Sequence, residues 1–274
     1  MKLIAFDLDG TLLTNDKELT PANEAALRRA AEAGIEVVPA TGRFYEAIPE
    51  ALRALPCIHY AITINGAQVW DVRERRPLLR AELPWQRAVE VMTWLDTLPV
   101  VYDCYMDNWG WMTQALYDRA GDYVANRHSL EMVQRFRTPV PELKAHLAAL
   151  GHDVQKIQVF FQDPDLRLRA MAELAERYPD LAVTSSVPRN VEINSQQAQK
   201  GTALLALAAH LGIDPAETVA FGDDLNDLTM LRAAGIGIAM ANASPQAKAA
   251  ADQLTASNNE SGVAQAINRL FDHP

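Results

Sequence analysis

The chain has only two cysteines, Cys57 and Cys104, far apart along 274 residues. So low a count excludes a disulfide framework and fits reduced thiols in a reducing, cytoplasmic compartment. Basic residues are scarce as well: 25 Lys and Arg stand against 35 Asp and Glu, a formal charge of −10. That deficit argues against a nucleic-acid partner, which needs cationic patches to neutralise phosphates. The segment Arg73-Glu74-Arg75-Arg76 is short and interrupted, and reads as a solvated turn. No apolar run approaches the roughly 20 residues that cross a bilayer. The first residues run into a strand ending in acids, unlike a signal peptide, so no membrane partner is expected. The sequons Asn242-Ala243-Ser244 and Asn259-Glu260-Ser261 are idle in a cytoplasmic chain. The histidines at 59, 128, 146, 152, 210 and 273 show no metal-ligand spacing. Long repeats and low-complexity tracts are absent. What remains, 49% hydrophobic and 22% charged, is an ordinary globular composition, long enough for one large domain or two smaller ones.

The most informative stretch lies at the start. Leu3-Ile4-Ala5-Phe6 is an apolar run of strand length that ends in Asp7-Leu8-Asp9, with Gly10-Thr11 following at once. Such runs read as buried parallel strands, and open parallel sheets bind ligands beyond the carboxyl ends of their strands. Asp7 and Asp9 then sit where chemistry occurs. Two carboxylates so close favour a cation between them or a proton on one. Taken alone, Asp9-Gly10 reads equally well as a surface turn.

Strand–helix alternation follows. Thr20-Pro21 opens an Ala-rich helix to Ala33, closed by Gly34. Residues 35–39 form a strand ending at Ala40-Thr41-Gly42-Arg43, a helix runs to about Leu55, and residues 60–64 form a strand closed by an Asn65-Gly66 turn. The pattern predicts an α/β fold, a Rossmann-like doubly wound parallel sheet. At residue 82 the rhythm changes. Residues 82–187 hold every tryptophan except Trp70, mostly as core, and read as two helix–strand halves: helices over 84–95, 141–150 and 165–178, strands over 100–106, 154–161 and 181–185, with an irregular stretch between. This is an inserted α/β cap domain. The core alternation returns with a short strand over 191–193 and a helix over 199–211. A strand over 218–221 then ends at Gly222-Asp223-Asp224-Leu225-Asn226-Asp227, followed by a strand over 235–240 and a helix capped by Ser244-Pro245. The core is therefore expected over 1–81 and 188–274, and the cap over 82–187.

Functional-looking residues collect in Asp7-Leu8-Asp9-Gly10-Thr11, Ala40-Thr41-Gly42-Arg43, Lys200-Gly201 and Gly222-Asp223-Asp224-Leu225-Asn226-Asp227. In order and separation these motifs resemble the haloacid dehalogenase superfamily of phosphatases, and look like its Cof-type branch with a C2-type cap, whose best-known members are small-molecule and sugar phosphatases. The likeness covers almost the whole chain. One departure is Ser195-Gln196-Gln197-Ala198-Gln199, where relatives often carry a glycine and Val-Ser or Val-Asn.

The resemblance implies an Mg²⁺-dependent phosphatase. Asp7 is its nucleophile, forming an aspartyl-phosphate. Asp9 is general acid for the leaving alcohol and then base for water, a role that calls for a raised pKa, expected from acidic neighbours and partial desolvation. Mg²⁺, which prefers oxygen ligands, falls to the Asp7 carboxylate, the Asp9 carbonyl and Asp223. Phosphate oxygens fall to the Leu8 amide, Thr41, Gly42, Lys200 and Asn226. Asp227 supports the site from behind, Asp224 reads as a plain turn, and Asn65-Gly66 reads as a hairpin turn that the resemblance places near the cleft. Cations are disfavoured at helix N-termini, so Lys200 is read as a phosphate partner rather than a solvated side chain. Lys200-Gly201-Thr202 lacks the upstream glycine of a nucleotide-binding loop. The expected partner is a small phosphorylated metabolite, such as a sugar phosphate, with the chain a monomer or weak homo-oligomer. A phosphotransferase or mutase on the same scaffold, a signalling receiver and a phospholigand-binding module are the alternatives.

Overall fold

Alternate residues of the first strand, Leu3–Phe6, enter different cores. Ile4 and Phe6 pack with Leu27 and Ala30 of the helix Pro21–Glu32 and with Val263 and Ile267 of the helix Gly262–Asp272. Leu3 and Ala5 pack with Leu204 and Leu207 of the helix Lys200–His210 and with Met230 of the helix Leu228–Ala233. A strand covered on both faces is apolar at every position, hence the unbroken run in the sequence. The computed structural model describes residues 1–124, 127–186 and 189–272. Its first unit, Met1–Arg80 with Gln199–Pro274, is built on a five-stranded sheet. The strand order is Gln253–Leu254, Ile236–Ala239, Thr218–Gly222, Leu3–Phe6 and Glu36–Pro39, with every neighbouring pair parallel. This is the doubly wound Rossmann-like core. Phe6 lies opposite Phe221, so the loops that open with Asp7 and Asp223 leave the sheet side by side.

The first helix starts and stops as its sequence predicts. The Thr20 hydroxyl accepts from the Asn23 N–H at 3.2 Å, and Gly34 takes φ +79° beyond the end. The helix expected to run to Leu55 does not form; a turn at Tyr45–Ala47 and a short helix, Glu50–Arg53, stand there instead. Pro49 is the reason, because it holds the preceding Ile48 extended, at ψ 135°. The strand Tyr60–Thr63 also departs from expectation. It opens a three-stranded antiparallel sheet with Gln68–Asp71 and Arg76–Arg80, tied to the parallel sheet through one bridge between Ala40 and Ile62.

The second unit, Ala81–Ala198, holds a six-stranded sheet in the order Leu181–Thr184, Asn190–Ser195, Lys156–Phe160, Val101–Met106, Trp109–Thr113, Arg137–Val140. Its pairs are antiparallel except the last. The helices Trp85–Leu95, Leu143–Leu150 and Pro164–Arg177 cover one face, where Ala88, Leu147 and Leu174 meet Cys104, Ile157 and Ile193. The expected boundary between residues 187 and 188 lies outside the described residues. The strand assigned to the core after it is corrected: Asn190–Ser195 pairs with Lys156–Phe160 and Leu181–Thr184 and belongs to this second sheet. Of the four tryptophans here only Trp94 is buried. Among the described residues no helix is long and apolar enough to cross a membrane.

Candidate active site

Lys200, the first residue of its helix, has a fully buried side chain. Its Nζ lies 2.6 Å from Asp7 Oδ1 and 2.6 Å from Asp227 Oδ1. One cation thus joins the residue after the first strand to the loop after the strand Thr218–Gly222. The other Asp227 oxygen accepts the backbone N–H groups of Asp223, at 2.9 Å, and Asp224, at 3.2 Å. Asp227 is completely buried, and both of its oxygens are committed to shaping the loop and holding the lysine.

Asp223 is fixed from its other side. The Thr11 hydroxyl donates to Asp223 Oδ1 at 2.6 Å. Gly10 makes the approach possible: it takes φ +90°, and a Cβ there would fall 2.4 Å from Asp223 Oδ2, so only glycine fits. Carboxylate oxygens of Asp7, Asp223 and Asp227 come within 4.8 Å of one another.

Electrostatics test whether this cluster suits a divalent cation. Burial pushes the Asp7 carboxyl up to about 7; Lys200 opposes the rise, and the charges of Asp227 and Asp9 add to it. Burial likewise pushes Asp223 up to about 8, reinforced by Asp7 and Asp227. Lys200 is raised despite its burial by the two carboxylates it touches. A single lysine therefore leaves the cluster short of positive charge. Hard oxygen donors with excess negative charge fit a divalent ion such as Mg²⁺.

Asp9 differs from expectation. Its carboxylate accepts Arg43 Nε at 2.8 Å and Nη2 at 2.7 Å, and Lys17 Nζ lies 2.8 Å away. Against burial, which alone would raise it, Arg43 and Lys17 hold the Asp9 carboxyl well below the usual carboxylate range. The raised pKa expected of Asp9 is thus corrected: its nearest charges are cations rather than the neighbouring acids.

The remaining predicted residues surround this cluster. The Thr41 side chain is buried and its hydroxyl accepts the Arg43 N–H at 3.2 Å, which puts Gly42 in a tight bend. The Leu8 side chain is buried in the core, so main chain is what it offers a ligand. Asn226 Nδ2 donates to Asn65 Oδ1 at 3.2 Å. Sequence reasoning gave no role to Thr11, Lys17, Arg43 or Asn65. Thr11 and Arg43 stand inside motifs already singled out, whereas Lys17 carries no local signal.

A family profile described as haloacid dehalogenase-like hydrolase matches residues 4–267. The chain belongs to that family. Phosphatase YwpJ of Bacillus subtilis is 34% identical over 99% of this chain and 100% of its own length. Pyridoxal phosphate phosphatase YbhA of Escherichia coli is 30% identical over 97% of each chain. The solved structure of a haloacid dehalogenase-like hydrolase from B. subtilis superposes with a TM-score of 0.84 at 34% identity, covering 98% of this chain and 100% of that one. This haloacid dehalogenase-like hydrolase is therefore an enzyme acting on phosphate esters, with phosphoryl transfer through an aspartate nucleophile.

Proposed function

We propose that this hydrolase is an Mg²⁺-dependent phosphatase of small phosphorylated metabolites, of the Cof type with a C2-type cap, and that it works through an aspartyl-phosphate on Asp7. The observation that carries the reading is the buried lysine bridging Asp7 and Asp227, which keeps one carboxylate oxygen of Asp7 occupied and orients the other. Asp7 attacks phosphorus in line and expels the alcohol. Lys200, Thr41 with the Gly42 main chain, the Leu8 amide and Asn226 hold the phosphoryl oxygens. The Asp7 carboxylate, the Asp9 carbonyl and Asp223 would hold Mg²⁺, whose positive charge would offset the negative charge of the transferring phosphoryl group. Asp227 serves as the brace for Lys200 and the Asp223 loop.

Turnover of p-nitrophenyl phosphate with Mg²⁺ tests this reading. Excess chelator should abolish the activity and Mg²⁺ should restore it with no change in the folded state. Full activity in chelator, or stoichiometric phosphorylation without turnover, would exclude it.

Asp9 donates the proton to the leaving oxygen and later takes one from water. Held ionised by Arg43 and Lys17, it must part from them before it can carry a proton. Asp9→Asn should accordingly slow alkyl phosphates far more than p-nitrophenyl phosphate, whose leaving oxygen is a weak base. Equal losses on both esters would remove the acid role.

The inserted unit is proposed as the element that selects the metabolite. One part of the opposite sheet face, Val101, Met112 and Phe160, packs against Ala120, Tyr123 and Val133 of the helices Ala120–Tyr123 and Arg127–Phe136; the polar groups buried on the rest of that face support this reading. Arg137 donates to Asp103 at 2.9 Å and to the Tyr105 hydroxyl at 2.9 Å, Lys156 pairs with Glu192 at 2.7 Å, and the buried Oδ1 of Asp103 has no hydrogen-bond partner among the described residues. The names of relatives, among them a pyridoxal phosphate phosphatase and a 5-amino-6-(5-phospho-D-ribitylamino)uracil phosphatase, favour polar phosphate monoesters of this size. Asp103→Asn and Glu192→Gln should change the kcat/KM ratio between two metabolite esters, each lost contact being worth about 1–3 kcal/mol. A uniform fall on both esters and on p-nitrophenyl phosphate would argue that the insert completes the site instead.

A further inference from the structure

The turn at Ile64-Asn65-Gly66 is more strained than a hairpin turn needs to be. All three residues have positive φ: 53°, 58° and 94°. Glycine and asparagine tolerate that region, and an Asn-Gly hairpin would use it at those two positions alone. A β-branched isoleucine there is an outlier, which persists only where the surroundings hold it.

What holds the turn is the catalytic loops. The Ile64 N–H donates to the Arg43 carbonyl at 2.9 Å and the Asn65 N–H to the Thr41 carbonyl at 3.0 Å, which fastens it to the Thr41-Gly42-Arg43 bend. Gly66 lies against the start of the lysine helix, where a Cβ would come within 2.4 Å of the Gln199 carbonyl oxygen and 3.0 Å of the Lys200 nitrogen. The Asn65 side chain is buried, and its Oδ1 accepts from Asn226 Nδ2 at 3.2 Å. One strained turn therefore touches the threonine bend, the lysine helix and the asparagine of the last motif.

We propose that Asn65 is a positioning residue of the phosphate site: it fixes the orientation of the Asn226 amide, while the backbone of its turn sets the Thr41 bend against the start of the Lys200 helix. This rests on the reading of Asn226 and Thr41 as phosphate-holding groups in a phosphatase. An amide with two donors and one acceptor can present either face to an oxyanion. With Nδ2 anchored on Asn65, the Asn226 side chain loses the freedom to swing its oxygen toward the phosphate, where it would repel.

Asn65→Gly isolates the side chain, because glycine keeps the positive-φ backbone while the whole carboxamide, acceptor and donors together, is removed. It should raise both the KM for p-nitrophenyl phosphate and the dissociation constant of inorganic phosphate, measured by calorimetry on the Mg²⁺-loaded protein, by about tenfold, the scale of one lost buried hydrogen bond. Tm should fall by no more than a few degrees, the scale of one lost buried hydrogen bond in a chain of this size, part of it offset by glycine's ease at positive φ. The decisive readout is the pair with Asn226→Ala: the double variant should bind phosphate no more weakly than Asn226→Ala alone, since the two side chains act as one unit. Unchanged phosphate affinity in Asn65→Gly, or losses that add in the double variant, would overturn the proposal. If Asn65→Gly does not fold, Asn65→Ser, too short to reach Asn226, must show the same loss. The calorimetry separates the two readings: a wild type that binds phosphate without hydrolysing esters ends the phosphatase reading and still decides the role of Asn65, and one that does neither ends both.

Discussion

Asp7→Asn should lower kcat on the order of 10⁴–10⁶-fold, the range in which loss of a covalent nucleophile falls, and should leave the protein at least as stable as the wild type. The first effect follows from chemistry, since an amide cannot form the acyl phosphate. The second follows from the charge balance of the site. Burial pushes the Asp7 carboxyl up to about 7 from an ordinary value of 3.8. Its contribution to stability is therefore complete below pH 3.8 and is lost as the pH rises through 7, because the folded state holds the protonated acid better than the carboxylate. Asparagine is neutral throughout and escapes that loss. Lys200 keeps Asp227 as a partner at 2.6 Å, so no cation is stranded. In chelator at pH 8 the Tm of Asp7→Asn should equal or exceed that of the wild type, and below about pH 4 the difference should vanish. Near-wild-type turnover would remove the mechanism. A lower Tm at pH 8 would show that the Asp7–Lys200 contact outweighs the cost of burying the charge.

Much of this site was legible because its determinants are local. A strand ending in Asp-Leu-Asp-Gly-Thr, a lysine opening a helix and Gly-Asp-Asp-Leu-Asn-Asp after another strand each announce themselves within ten residues, and parallel pairing of Leu3–Phe6 with Thr218–Gly222 brings them together. What escaped depends on distant partners. Arg43 reaches Asp9 across 34 positions and Lys17 folds back onto it, and nothing in the local pattern distinguishes those cations from solvated ones. The Asn65 turn was legible as a turn, but its contact with Asn226 spans 161 positions. One misreading had a signal that went unused. Asn190-Val191-Glu192-Ile193-Asn194 alternates polar with apolar, the mark of an antiparallel strand with one polar face, whereas the central core strand Leu3–Phe6 is apolar throughout. The alternation places it in the second sheet, where it is found. Pro49 was a second such signal, standing inside a stretch read as one helix.

Lys200→Met should damage stability and turnover together, and it is the one substitution in the site expected to do both. The methionine fills most of the space and removes the charge, leaving Asp7 and Asp227 buried within reach of each other without a cation. Breaking a buried ion pair from one side costs about 3–5 kcal/mol, which for a chain of this size lowers Tm on the order of 10 °C. Turnover should fall about 10²–10³-fold even at temperatures where the variant is fully folded, the scale of losing one fixed group that stabilises a developing anion. Lys200→Arg should not rescue either property. Two carboxylate oxygens converge on one nitrogen at 2.6 Å each in a fully buried space, and that geometry suits a compact point charge, not a planar fork that needs more room. Mg²⁺ should recover part of the lost Tm in Lys200→Met, since it supplies charge to Asp7, but it should leave Asp227 unpaired and the recovery incomplete. Thermal unfolding with and without Mg²⁺, set beside kcat measured well below Tm, resolves the two effects. A Lys200→Met protein that melts with the wild type would mean that the paired carboxylates take up protons at no cost, and the lysine would then be a phosphate ligand alone and not the tie that holds both loops.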